Sequence, residues 1–181
     1  MNRWNTIIDQ TTTDFTDAFS SLNERQLNWK PNAQTWSIAQ NIHHLIVINE
    51  TYYPVLEALH EGSYTLPFMG KMGFMVSFFG KMILGSVQPD RKRKIKTFPI
   101  WEPAQSDLPP DLLARFAGHQ EELKSRIAGA ADLLGQGAVI SSPANGAIVY
   151  KLETAFDIIV AHERRHLTQA REVLSAMPAG Y

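Results

Sequence analysis

Apolar residues recur at three- and four-residue spacing in four stretches of the chain, the signature of helices that bury one face. The first stretch carries Trp4, Ile7, Ile8, Thr11, Phe15, Phe19 and Leu22. The second follows Ser37, a good N-cap, with Ile38, Ile42, Leu45, Ile48, Tyr52, Leu56 and Leu59. The third opens at Asp111 and runs through Leu112, Phe116, Leu123, Ile127 and Leu134. The fourth is predicted to start at Pro143, which suits a first helical turn, and carries Leu152, Phe156, Ile159, Leu167, Ala170 and Leu174. Period-two alternation is confined to a short piece near Gly137–Ser141.

Four such stripes predict an all-α fold, an antiparallel four-helix bundle forming one domain over residues 1–181. The link between the second and third helices, residues 66–110, is far longer than an ordinary connection. It is expected to cross the bundle with extra helical turns of its own, which is compatible with up-up-down-down order. Its first part, Leu66–Gly85, is rich in Met, Phe and Gly. Lys71 and Lys81 interrupt it, so it falls short of the roughly 20 apolar residues of a membrane span. A flap over a groove or a dimer contact fits it better. The run Arg91–Lys96 reads as a solvated basic turn, Phe98–Pro110 as a loop and Met177–Tyr181 as a frayed tail.

Composition narrows the chemistry. The chain has no cysteine, which removes disulfides, thiolate nucleophiles and every Cys-based metal site. A net charge of −1 argues against a global electrostatic grip on nucleic acid or an anionic membrane. The first residues lack an apolar run of signal-peptide length, so a cytoplasmic protein is expected. No Gly-rich phosphate loop, Gly-x-Ser-x-Gly elbow or dinucleotide fingerprint is present.

Six histidines remain. His162 and His166 are four apart on the predicted last helix, so their rings point the same way from neighbouring turns. They are in phase with Phe156, Ile159, Ala170 and Leu174, which puts both on the core side. Two buried neutral imidazoles need polar partners that these apolar neighbours lack. A metal ion supplies one, and imidazole suits Zn, Ni, Fe or Cu. A third ligand has to come from another helix. His43 and His44 on the second helix point about 100° apart, and periodicity alone does not choose between them. The alternative is that these are ordinary core histidines within polar networks. His60 and His119 stand alone and read as surface or helix-end residues.

Residues 162–166, HERRH, match the His-Glu-x-x-His pattern in which the Glu is the general base of a metalloprotease. Only fifteen residues follow, without a further histidine, and Glu172 rides the same helix. Protease chemistry is therefore disfavoured, and the plain reading of Glu163 is a surface acid pairing with an arginine at helical spacing.

Trp36, Ser37, His44 and Leu45, taken with His162, His166, Leu167 and Gln169, resemble the two motifs of the DinB-like superfamily, the YfiT-type metal-dependent enzymes. The motifs sit about 118 residues apart on the expected helices, so the resemblance covers most of the chain. It implies His44, His162 and His166 as ligands of one divalent ion, Zn or Ni first and Fe next, with His43 an unligated neighbour. It also implies a four-helix bundle and a homodimer. Gln40 departs from the pattern, since many relatives place an acid there.

Three neutral imidazoles would leave the metal's charge uncompensated and a coordination position open. The implied activity is hydrolysis, or transfer of a low-molecular-weight bacterial thiol such as bacillithiol or mycothiol, with metal-bound water or thiolate as the nucleophile. Glu163 is the nearest candidate general base and Glu50 a weaker one. The rival reading is a non-catalytic metal-binding stress-response or structural bundle.

Overall fold

A computed structural model describes residues 3–90, 97–104 and 108–181, and the basic run Arg91–Lys96 lies outside them. Helix α1 spans Arg3–Phe19 and a short α2 spans Glu24–Asn28. The second predicted helix begins where expected. Ser37 caps it by accepting from the Gln40 amide, while the Gln40 side chain accepts from the Ser37 amide. It is, however, two helices, α3 (Ile38–Glu50) and α4 (Tyr53–His60), with Pro54 in the first turn of α4. Two 3-10 turns, Phe68–Lys71 and Pro99–Trp101, flank α5 (Gly73–Ser86) in the long connection. Then come α6 (Leu112–Gly129), α7 (Ala131–Gly135), strands β1 (Val139–Ser142) and β2 (Asn145–Lys151), and α8 (Leu152–Ala176).

The fold is mostly helical and carries one two-stranded antiparallel sheet, which corrects the all-α expectation. Pro143 does not open the last helix. It lies in the turn between the strands, and Ile140 pairs with Tyr150 across the hairpin. The short alternation near residues 137–141 was thus the edge of a longer hairpin. Its second strand, rich in apolar residues, is hard to tell from a helix start by spacing alone.

Helices α1 and α3 each pack against both α6 and α8. Their side chains form two apolar clusters stacked along the helices. One holds Trp4, Ile8, Leu123, Ile127, Phe156 and Ile159. The other holds Phe15, Ile42, Leu45, Phe116, Leu167 and Val173. Between them lies a belt of buried polar side chains: Thr11, Asn49, His119, Gln120 and Glu163. Each helix changes from apolar to polar at the same height, which pins their relative register.

Helix α5 packs on β2 and α8, so the insertion forms a layer on the outside of these helices. Gly80 faces that contact, where a Cβ would stand 3.3 Å from Thr154 Cγ2 and 3.5 Å from Tyr150 Cβ. Its outer face exposes Phe74, Phe78 and Met82, one turn apart. No described helix is long and apolar enough to cross a membrane. The C-terminus departs from the frayed tail expected: Tyr181 packs its ring against Trp29 and under the Arg25 guanidinium.

Candidate metal centre

Helices α3 and α8 pack side by side and bring three rings together. One nitrogen each from His44, His162 and His166 lies within 4.8 Å of the others. The phase argument for the α8 pair holds, and of the two candidates on α3 it is His44 that joins them. His43 points elsewhere; burial, then the nearby Arg115, holds its imidazole below the usual range.

Backbone and side-chain partners fix which nitrogen of the His44 and His166 rings faces inward. His44 Nδ1 meets the Trp101 carbonyl at 2.5 Å, so it carries the proton and leaves Nε2 as an acceptor. His166 Nδ1 meets Asn41 Oδ1 at 2.7 Å, and Asn41 Nδ2 in turn donates to the Ser37 carbonyl. His166 Nε2 then faces His162 Nε2 at 3.0 Å. Such outer partners orient metal-ligating imidazoles and raise their basicity. The Trp36 ring closes one side, stacked on His166 at 5.8 Å and tilted against His44 at 4.8 Å.

The donor set fits a divalent ion. Burial pushes all three imidazoles down: His44 to about 4, and His162 and His166 well below the usual value. The charges of the other imidazoles and of Arg165 push His162 and His166 the same way. Neutral rings are the form that binds metal. Metal–nitrogen bonds of about 2.0–2.1 Å place neighbouring ligand nitrogens roughly 3 Å apart, which matches the His162–His166 spacing. Among the described residues, no fourth histidine or acid completes the group.

The three histidines lie in the wall of a cavity of about 830 Å³. Ile48, Ile83, Val87, Ile148 and Ile158 give it an apolar side. Tyr52 and Tyr150, whose hydroxyls meet at 2.9 Å, and Ser142 add polar groups to its lining. Gln169 and Arg165 also reach it from α8.

A model of the DinB superfamily matches residues 7–170. The chain belongs to the DinB superfamily. No curated protein and no solved structure matches it. The motif residues have separable tasks in this DinB-superfamily protein. Ser37 caps α3, Leu45 and Leu167 fill the core, Trp36 covers two of the rings, and the three histidines face one another. Gln40, where an acid was expected from the resemblance, closes the capping box and donates to the Ala104 carbonyl.

Glu163 is not the surface acid that its arginine-rich surroundings suggest. It is fully buried, and its carboxylate accepts from Asn49 Nδ2 at 2.8 Å and Gln120 Nε2 at 3.0 Å. Burial raises its pKa to about 7 against the pull of those two donors. It does not line the cavity that the histidines share, and Glu50 is exposed and does not line it either. His119, expected near the surface, is also buried, between Asn49 and the Tyr53 hydroxyl. His60 ends α4 and is exposed, as expected.

The sequence reading missed Asn41 and Arg165. Both were marked by spacing: Asn41 is three residues before His44, and Arg165 three after His162, so each shares a helix face with a ligand.

Proposed function

We propose that this protein is a metal-dependent enzyme in which His44, His162 and His166 hold one divalent ion. Zn or Ni is the preferred ion, with Fe next. The reaction is hydrolysis of a small molecule or transfer of a low-molecular-weight thiol to one. The observation that carries the reading is the placement of three neutral imidazoles in the wall of an 830 Å³ cavity. A structural ion is normally enclosed by four protein ligands, whereas a catalytic one keeps a position open towards substrate.

The bound ion would act as a Lewis acid that makes a water or a thiol nucleophilic near neutral pH. The chain's own residues prepare that site. Trp101 and Asn41 hold the rings of His44 and His166 by their Nδ1 atoms. Trp36 keeps water from one side of the two rings. The apolar wall receives the substrate body, and the Tyr52 and Tyr150 side chains in the same lining offer it hydroxyls. In this reading α1, α3, α6 and α8 are the four-helix bundle, and α5 with the hairpin is an addition that completes the cavity. A homodimer belongs to the same reading, with the exposed row Phe74, Phe78 and Met82 as the face in question.

Elemental analysis of the purified wild type beside His44→Ala and His166→Ala tests the proposal. About one equivalent of metal in the wild type, lost in both variants, is expected, followed by activity in ester-hydrolysis and thiol-transfer screens. Absence of metal after reconstitution would sink it. Metal present with a closed shell and no activity, together with a large loss of stability in the variants, would favour the rival structural or stress-response bundle.

A further inference from the structure

Gln169 lies three residues beyond His166 and seven beyond His162 on α8, so the three side chains share one face of the helix. It lines the same cavity as the two histidines and is half-buried there. Its amide is thus carried one helical turn from a proposed ligand of the ion.

Much of the neutral polar lining is engaged within the protein. Asn41 accepts from His166 Nδ1 and donates to the Ser37 carbonyl. The Tyr52 and Tyr150 hydroxyls bond to each other, Ser86 donates to the Ile83 carbonyl and Thr35 donates to Asn32. Gln169 has no hydrogen-bond partner within the protein. Its amide is not sealed in the core either, so both ends are open to the cavity they line. In the free protein water can satisfy such an amide. A ligand that fills this part of the cavity removes that water, and it has to replace the hydrogen bonds or leave a desolvated amide unpaired.

A carboxamide carries its acceptor, Oε1, and its donors on Nε2 side by side in one plane. The complementary group has a donor and an acceptor on one edge, the relation by which glutamine reads adenine. A primary amide or a lactam has such an edge. A ketone or an ester has no donor for Oε1, and neither has a carboxylate. A site with a polar group of this kind rejects the analogue that cannot pair with it.

We infer that Gln169 selects the ligand of this cavity, a small neutral molecule with an apolar body and an amide edge. The body meets Ile48, Ile148 and Ile158 in the same lining. The inference names the substrate class of the cavity proposed above as an active site. It rests on that reading only for the claim that the bound molecule is a substrate; the binding preference itself belongs to Gln169.

The test compares 4-phenylbutanamide with 5-phenylpentan-2-one, the same skeleton with methyl in place of the amide NH2, by calorimetry. Metal-stripped and zinc-loaded protein are both used, and metal content is measured on the same samples. The quantity read is the ratio of the two affinities in the wild type against the same ratio in Gln169→Met, which cancels the different hydration of the probes. One hydrogen bond of ordinary net worth predicts that the ratio falls roughly 3- to 10-fold in the variant. The fall is expected with and without zinc. Because the amide holds nothing within the protein, Gln169→Met is also expected to melt with the wild type and to keep its zinc. Should it fail to fold, Gln169→Leu takes its place. An unchanged ratio, or no binding of either probe to the wild type, would overturn the inference. A protein that holds zinc with an unchanged ratio would uphold the metal reading and sink this one. A protein that takes up no zinc yet shows the Gln169-dependent ratio would do the reverse.

Discussion

His162 and Glu163 are neighbours on α8 and serve opposite sides of it. The His162 ring faces His44 and His166 at the cavity. The Glu163 carboxylate points into the belt between the two apolar clusters, where Asn49 and Gln120 donate to it. A turn of about 100° per residue separates the two tasks. The His-Glu-x-x-His string is therefore read by the fold as two unrelated pieces of information, a ligand pair and a core polar contact.

That separation predicts how Glu163 variants behave. Glu163→Gln keeps the shape, and Asn49 Oδ1 and Gln120 Oε1, both buried without a hydrogen-bond partner, can receive its new N–H after an amide flip. A stability change within about 1 kcal/mol and full metal content are expected. Glu163→Ala takes the acceptor from two buried amides, leaving Asn49 only its contact with His119, beside a new cavity, and a loss of roughly 2–4 kcal/mol is expected by chemical denaturation. Loss of metal in Glu163→Gln would show that this carboxylate is coupled to the site after all.

Asn41 is expected to matter for the ion more than for the fold. It accepts from His166 Nδ1 and thereby holds Nε2 towards the other rings. Removing such a partner typically costs 10- to 100-fold in metal affinity. Asn41→Leu should show that drop in a competitive chelator titration, while its melting temperature moves little more than the loss of its two side-chain hydrogen bonds, to His166 and to the Ser37 carbonyl, implies. Unchanged affinity would mean that the ring needs no orienting partner.

His119 gives the protein a stability that depends on pH. Burial lowers its pKa to about 4, with Glu122 pulling weakly the other way. The polar groups facing it are Asn49 from α3 and the Tyr53 hydroxyl from α4, with Glu163 of α8 reached through Asn49. In the unfolded chain it titrates near 6.5. Above that value both states are neutral and nothing changes. As pH falls from 6.5 to about 4 the unfolded state takes up the proton first, so folding stability is lost through this window, and below 4 the loss levels off. The difference amounts to at most about 3 kcal/mol. His119→Gln should flatten that part of the pH–stability curve relative to wild type. The three cavity histidines contribute to both proteins alike, so the comparison isolates His119.

The residues that were legible in advance are those whose role follows from one helix. The α8 stripe put His162 and His166 on the core side, and Ser37 announced the start of α3. The polar belt was not legible, because Glu163 is accounted for only by Asn49 and Gln120 on two other helices. Spacing along α8 says nothing of them. His119 was misplaced for the same reason. The break between α3 and α4 was hidden because Tyr52, Leu56 and Leu59 continue the apolar spacing across it. The hairpin was hidden because Pro143 fits a β-turn as well as a helix start.

Gly80 carries the last prediction, which concerns how the insertion is joined to the rest. The backbone of α5 comes close enough to β2 and α8 that a Cβ at Gly80 would stand 3.3 Å from Thr154 Cγ2. Alanine gains up to about 1 kcal/mol of helix propensity and meets one tight methyl contact, so Gly80→Ala should be nearly neutral. Gly80→Val adds branches that Thr154 and the Tyr150 Cβ cannot both clear, and overpacking of this kind costs about 1–3 kcal/mol. The strain is relieved by moving α5 outwards. Ile83 and Val87 leave the cavity wall with it, and so do the Ser86 and Gln88 carbonyls that hold Arg165. The three histidines stand on α3 and α8, which do not depend on that contact. Gly80→Val should therefore keep its metal while binding a neutral apolar probe of the cavity, such as 4-phenylbutanol, more weakly. Metal content and calorimetry on the same preparation check both halves, and loss of the metal in this variant would mean that α5 supports the ligands directly.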